Sequence, residues 1–250
     1  MKILVCIDDT DNLESRGTGQ LSQLFAEAIE KKGWGNCTSI SRHQLFVHED
    51  IPYTSHNSSM CFKANIDGKT LQPLIDFMQK GLEIESAPGS DAGLCVAVDN
   101  EALDKKRLMA YGNKAKDTVL NKPMAYALAA DLGIHLSEHG GTGDGIIGAL
   151  AGVGLRLGGN DGRFRGWYHF DKSGTTMGVD ALCRHSFVDV VKPLNGDPLD
   201  MNQHVVLGDD KVKIILQAGR QVLPVEAGRD SSGAPVWITL TKDRIKQLWP

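Results

Sequence analysis

The sequence predicts an α/β (α+β) protein, with a mixed sheet and its helices in residues 1–172 and a small β-rich unit in residues 173–250. Three observations predict it. Short apolar runs such as Ile3-Leu4-Val5-Cys6 alternate with amphipathic helical stretches in the order βαββαβ up to Val98. Beyond Lys172-Ser173-Gly174-Thr175 the chain turns into short strands separated by Gly-Asp and Gly-Arg turns. A chain of 250 residues with 41% hydrophobic content can bury a large core without disulfide or metal staples.

The first run, residues 3–6, reads as a buried strand that ends in the acidic turn Ile7-Asp8-Asp9-Thr10-Asp11. Leu21, Leu24, Phe25, Ala28 and Ile29 then recur at helical spacing, with Thr18 expected as N-cap and Gly33 as the stop. Residues 40–47 and 60–66 read as a hairpin whose long tip, residues 49–57, is built around Ile51-Pro52. Leu71, Leu74, Ile75 and Met78 share the face of a second helix expected to end at Gly81, and residues 94–98 form the next strand. Pro123 splits residues 104–132 into two helices, because it cannot donate a backbone hydrogen bond. Residues 134–137 read as a strand, and a glycine run from Gly140 to Gly145 leads into the small-residue helix Ile146-Ile147-Gly148-Ala149-Leu150-Ala151. Strands are expected at 163–170, 205–207, 211–216, 221–226 and 236–240, with a closing helix at 242–249.

Composition narrows the function. A net charge of −4 and a pI near 6.1 create no global field for nucleic acid, and no Lys/Arg stripe creates a local one. Cys6, Cys37, Cys61, Cys95 and Cys183 are odd in number, lack a CxxC pair and sit mostly in apolar runs, as reduced core thiols do. A cytoplasmic location is expected, since the apolar run after Met1-Lys2 is too short for a signal-peptide core and no stretch reaches membrane-spanning length.

Three carboxylates crowded at a strand end repel one another unless a cation collects them. Asp8, Asp9 and Asp11 offer the hard oxygen ligands that Mg²⁺ prefers, and an ion held by one or two of them keeps positions free for phosphate oxygens. A solvated Asx-type turn would use the same residues. Thr18 and Gly19 open a helix, where unpaired N–H groups and the dipole attract phosphate. Gly143, Gly145 and Gly148 spell GxGxxG between a strand and a helix, which fits a dinucleotide fold, another phosphate-facing loop, or simply close helix packing. His135, Glu138 and His139 spell H-x-x-E-H, a zinc pattern only on a helix, which the flanking glycines oppose. His43, His48 and His56 fall around the expected hairpin tip.

Four ordered segments carry a family resemblance: Ile7-Asp8-Asp9-Thr10-Asp11 followed by Thr18, the loop from Ile51-Pro52-Tyr53 to Asn57, the turn Asp91-Ala92-Gly93, and Gly145-Ile146-Ile147-Gly148-Ala149-Leu150-Ala151. Over residues 1 to 170 the chain resembles the N-terminal kinase-like domain of the tRNA-isoleucine agmatidine (2-agmatinylcytidine) synthetase family. The resemblance implies ATP and Mg²⁺ as cofactors and phosphorylation of a cytidine base oxygen, which agmatine then displaces, and of a threonine that aligns with Thr18. It implies Asp8, Asp9 and Thr18 as catalytic residues and Asp8, Asp9 and Asp11 as metal ligands. Thr10, Gly17, Gly19, Asn57, Gly143, Gly145 and Gly148 would then bind the nucleotide. Two departures stand out. Asp144 occupies a place where the family usually has a basic residue, and His56-Asn57-Ser58-Ser59 replaces a glycine-flanked asparagine. The paired CxxC motifs of the family's zinc ribbon are absent, and so is any segment expected to be its OB-fold.

The leading expectation is therefore an Mg²⁺- and ATP-dependent enzyme, kinase- or ligase-like, that activates a small-molecule acceptor by phosphorylation. A tRNA acceptor is implied by the resemblance and not by the charge. The alternatives are a nucleotide- or metabolite-binding protein without turnover and an NAD(P)-dependent oxidoreductase using residues 143–148.

Overall fold

The first strand of the computed structural model sorts its side chains to two faces, as strand alternation requires. Ile3, Val5 and Ile7 enter one core, while Leu4 and Cys6 enter another. The structure describes residues 1–53, 56–230 and 232–249, so Thr54 and Ser55 of the expected hairpin tip lie outside the described residues. Two compact units are present, Met1–Gly158 and Gly159–Pro250.

The first unit runs β1 (Lys2–Asp8), α1 (Thr18–Lys31), β2 (Gly35–Cys37), β3 (Ser41–Gln44), β4 (Ser58–Ile66), α2 (Leu71–Glu85) and β5 (Gly93–Val98). It continues with α3 (Lys105–Lys114), α4 (Lys122–Leu132), β6 (His135–Glu138) and α5 (Gly145–Gly158). The sheet order is β6-β5-β1-β4-β3, with β2 also on β4, and every pair in it is antiparallel. One face packs on α1 and α2 through Leu21, Phe25, Ile29, Leu74 and Met78; the other packs on α3, α4 and α5 through Leu108, Ala125, Ile146 and Leu150. Each such fully buried large side chain favours the fold by roughly 1.5–3 kcal/mol over its exposed state.

Glycine sets how closely the second layer can approach. A β-carbon on Gly152 of α5 would lie 2.5 Å from Cys6 Sγ, and one on Gly154 would overlap the Leu108 carbonyl of α3. The helix is buried at most positions because only backbone separates it from its neighbours. Asn121 caps α4 by accepting the Met124 N–H, Pro123 sits in the first turn, and Gly133 ends the helix in the left-handed region at φ 64°.

The second unit runs β7 (Arg163–Phe164), β8 (Thr176–Gly178), α6 (Val179–Cys183), β9 (Val190–Pro193), β10 (His204–Val206), β11 (Ile215–Gln217), β12 (Arg220–Arg229), β13 (Pro235–Thr239) and α7 (Lys242–Leu248). Its strand order is β7-β11-β12-β13-β10-β8, with β9 beside β12. The β9/β12 and β10/β13 pairs are parallel, so the strands of the chain pair in mixed sense. Phe164, Val191, Val205, Ile214, Leu223 and Val225 fill its core.

Several expected boundaries move. The strand expected at 40–47 spans only Ser41–Gln44, because Phe46 N–H leaves the ladder to donate to the Ala115 carbonyl. Gly81 lies inside α2 and gives room to the Phe25 ring instead of ending the helix. The division falls after Gly158, ahead of 172/173: Phe164 donates to Ile214, and Tyr168 and Val212 exchange backbone bonds, which tie that stretch to the second unit. The strand expected at 163–170 is correspondingly reduced to Arg163–Phe164. Cys6, Cys61 and Cys95 are buried thiols, Cys37 and Cys183 are half-buried, and all five are free. No helix among the described residues is long and apolar enough to cross a membrane.

Candidate active site

The acidic turn is the C-terminal end of β1. Alternation carries Asp8 to the α5 face after Leu4 and Cys6, and there it is 7% exposed. A β-carbon at Gly148 of α5 would overlap Asp8 Oδ2, so a glycine is needed for the helix to pass over this carboxyl. Burial pushes the Asp8 carboxyl well above the usual range, with Asp9 and Asp11 adding to the rise and the Asp9 backbone N–H opposing it. Asp9 adopts φ 50°, a left-handed backbone that costs free energy for any residue but glycine. Its carboxyl is pushed up to about 6, first by burial and then by Asp91, Asp11 and Asp144. Acids from the end of β1 and from the turns that lead into β5 and α5 thus share one field.

Thr18 stands opposite. It is the first residue of α1, and Gly17, in extended backbone, is the N-cap with no side-chain cap bond. The expected cap role of Thr18 is corrected for a simple reason: its hydroxyl proton goes to Asp11 Oδ1 at 3.0 Å. Thr18 Oγ1 itself accepts from the Thr10 hydroxyl at 3.2 Å and from the Thr10 N–H at 3.4 Å. The start of α1 carries no acidic residue in its first turn, which leaves its dipole end suited to an anion.

The glycine loop before α5 is held by the protein itself. Asp91 accepts the Thr142 N–H with its side chain and the Gly145 N–H with its carbonyl, the latter at 3.0 Å. Lys122 reaches the Thr142 carbonyl and Glu138, and Tyr126 donates to Glu138 at 2.6 Å. Gly143, at φ 77°, abuts Glu138 so closely that a side chain would collide with it. Ile146 and Ile147 N–H groups donate to Gly143 and Asp144. The amides of Gly145, Ile146 and Ile147 are therefore engaged within the protein, and Gly143, Gly145 and Gly148 all pack too closely on their neighbours to carry a side chain.

One cleft gathers most of these groups. Asp8, Asp9, Asp11, Thr18, Asn57, Gly145 and Gly148 line it; Thr10, Gly17, Gly19 and Gly143 do not. Its apolar walls are Leu45, Ile51, Pro52 and Tyr53 from the hairpin and Ala115, Val119 and Leu120 from the connection between α3 and α4. Among its described lining residues there is no Lys or Arg, and Asp50 and Asp144 add to the acidic set. Asn57 spends an amide N–H on the Phe46 carbonyl at 2.6 Å and so also shapes the hairpin.

Comparison with solved structures shows what this unit is like. The chain resembles TiaS, a tRNA agmatidine synthetase. It matches the apo form of that enzyme at 25% identity and a TM-score of 0.52, covering 62% of this chain and 35% of that one. A complex of TiaS with tRNA and ATP matches at 25% identity and 0.53, and a tRNA fluorescent labeling enzyme at 26% and 0.53, each over 62% of this chain and 36% of the other. The chain thus spans about a third of the length of the structures it matches. No protein-family model matches it, and no curated protein does.

The TiaS-like sheet also decides the remaining motifs. β6 and β5 are antiparallel, so the GxGxxG run does not follow the parallel βαβ crossover of a dinucleotide fold. His135 and His139 belong to a strand and its end, not to a helix, and both contact Ser137 Oγ, at 3.0 and 2.7 Å. His43 leaves the tip cluster: it is buried in β3 and bonded to Ser41 at 2.7 Å, whereas His56 lines the cleft. The wall at 118–120 carries no signal of its own in the sequence, and Asp91 enters the sequence reading only within the turn Asp91-Ala92-Gly93 that leads into the strand beside β1, with no role assigned to its carboxyl.

Proposed function

We propose that this chain is an Mg²⁺- and ATP-dependent, kinase- or ligase-like enzyme that activates an acceptor by phosphorylation. The observation that carries the reading is the convergence, in one apolar-walled cleft, of the buried carboxyl of Asp8, the Asp9 and Asp11 carboxyls and the uncapped start of α1. Likeness to a structure described as a TiaS complex with tRNA and ATP supports it.

The residues fit a small hard cation. A carboxyl raised first by burial and then by its acidic neighbours is an acid whose anion a cation would stabilise. Among the described residues no three His, Cys, Asp or Glu side chains converge on one cation position, so one or two of Asp8, Asp9 and Asp11 would hold Mg²⁺ and the rest of its shell would be phosphate oxygen and water. When bound, the ion supplies the charge that neutralises the triphosphate. Thr18 and Gly19 direct the α1 dipole at the phosphates, and Asp11 holds the Thr18 proton. The apolar walls at Ile51-Pro52-Tyr53 and Val119-Leu120 exclude water and pack a base or acceptor.

The acceptor in this reading is a small molecule. A tRNA is the second candidate, since one matched structure holds a tRNA, but a net charge of −4 provides no phosphate-backbone footprint. Binding without turnover is the competing activity, favoured by the full engagement of the Thr18 hydroxyl. Calorimetry with ATP decides the site: binding that requires Mg²⁺ and disappears in Asp8→Asn and Asp9→Asn supports it, and unchanged binding in both variants sinks it. ADP release on adding candidate acceptors then separates enzyme from binding protein.

A further inference from the structure

On β6 the residues of the H-x-x-E-H motif part company, and a different set of side chains meets. Glu138 turns to Tyr126 and Lys122. Strand alternation sends Leu136 into the core beside α5 and puts His135, Ser137 and His139 on the opposite face, toward α2. There both rings aim Nε2 at one atom, Ser137 Oγ, which lies 3.0 Å from His135 and 2.7 Å from His139. Glu83 of α2 stands behind His139, 3.9 Å from Nδ1, and the charge of Asp76 on the same helix reaches His135. The His139 side chain is only 3% exposed. None of these residues lines the acidic cleft.

One hydroxyl proton cannot serve two acceptors, so Ser137 donates to one ring and accepts from the other. A carboxylate beside Nδ1 favours a proton there, which leaves the His139 Nε2 lone pair facing Ser137 and makes His135 the ring that donates its Nε2–H. Metal-binding histidines are oriented in the same way, by an acceptor on the nitrogen turned away from the ion. Burial holds both imidazoles below their ordinary range, with Asp76 and Glu83 opposing it, so both rings are neutral near pH 7. We propose that His135 and His139 form a two-imidazole clip for a divalent transition metal of the Zn²⁺ class, bound where their Nε2 atoms converge on Ser137. On binding, the His135 proton moves from Nε2 to Nδ1, and each Nε2 lone pair forms a bond to the ion. Imidazole nitrogen suits Zn²⁺, Ni²⁺ or Cu²⁺, whereas Mg²⁺ prefers oxygen. No third His, Cys, Asp or Glu side chain among the described residues converges there, so water and the Ser137 hydroxyl complete the shell. The ion would brace β6, the terminal strand of the sheet, just ahead of the glycine loop.

Calorimetry of the full chain with Zn²⁺, in excess Mg²⁺ and at about pH 7.5, tests the clip while the hard cation competes for the carboxylates of the acidic turn. One Zn²⁺ per chain is expected, with the same affinity in Asp8→Asn and Asp9→Asn. Binding should be lost in His135→Gln and in His139→Gln, and it should weaken roughly tenfold in Glu83→Gln, the cost of removing a carboxylate behind a ligand. Nitrogen-detected NMR of the parent gives a readout that needs no variant to fold: Zn²⁺ should shift the ring signals of His135 and His139 and convert His135 from the Nε2–H to the Nδ1–H form. Absence of Zn²⁺ binding, equal affinity in both histidine variants, loss of binding in Asp8→Asn or Asp9→Asn, or ring signals of His135 and His139 that do not move overturns the proposal. Should one histidine variant not fold, the other and the parent NMR spectrum still decide.

Discussion

Gly148 leaves its β-carbon position to the carboxyl of Asp8: a methyl there would overlap Asp8 Oδ2 and lie 2.8 Å from Leu45 Cδ1. Site and scaffold are the same contact. Gly148→Ala must either lift α5 or turn Asp8 away, and overpacking of this kind costs about 1–3 kcal/mol. The expected result is a lower Tm together with loss of Mg²⁺-dependent ATP binding in calorimetry. Full binding by a folded Gly148→Ala protein contradicts the role given to Asp8.

Acid strength at the turn links stability to pH. The folded protein holds the Asp9 carboxyl at about 6 against an ordinary 3.8, and Asp8 is raised as well. Raised carboxyls bind more protons folded than unfolded, so their stabilising contribution is complete below the unfolded value and fades as pH rises through the folded one. In metal-free buffer the Tm should therefore fall between about pH 4 and 7 through Asp9, and Asp9→Asn should flatten that slope. Mg²⁺ should raise the Tm more at about pH 7.5 than at about pH 5, because it binds the ionised form. A Tm slope identical in Asp9→Asn and the parent would remove Asp9 from this account.

The apolar wall offers a change that leaves the core intact. Val119 is 41% exposed at the cleft, so Val119→Asp disturbs little packing but sets another acid beside the occupant. Its stability should stay within about 0.5 kcal/mol of the parent's, while ATP affinity should fall roughly tenfold, or about 1.4 kcal/mol. Equal affinities in a titration would place the base elsewhere.

Lys122, Tyr126 and Glu138 tie the glycine loop to α4. Tyr126→Phe deletes one of these bonds, whose partner Glu138 is exposed and free to take water, so stability should drop by no more than about 1 kcal/mol. Limited proteolysis should cut first within residues 139–144 in this variant. A pattern identical to the parent would show that the loop is held by Asp91 and its glycines alone.

Much of the first unit was legible because its signals are local. The apolar run of β1, the Pro123 break and the small-residue run of α5 are each set by a few neighbouring side chains. β2, β8, α6 and β9 are only three to five residues long, too short for a period to emerge, and exist through pairing with distant strands or packing on them. Gly81 misled because a glycine that admits Phe25 looks the same in sequence as one that ends a helix. In the site, crowding marks Asp8, Asp9 and Asp11, while Asp91 and Asp144 join them only because β5 lies beside β1 and α5 begins over both.

By itself the sequence determined the α/β character, the acidic strand end and the helix that starts at Thr18, since periodicity and like-charge crowding are properties of adjacent residues. Tertiary structure alone decided the antiparallel order of the first sheet, the second pair of acids, the apolar cleft wall and the engagement of Thr18 by Thr10 and Asp11. Those depend on which strands pair and on how closely a glycine lets a helix approach, and both are settled by burial across the fold rather than along the chain.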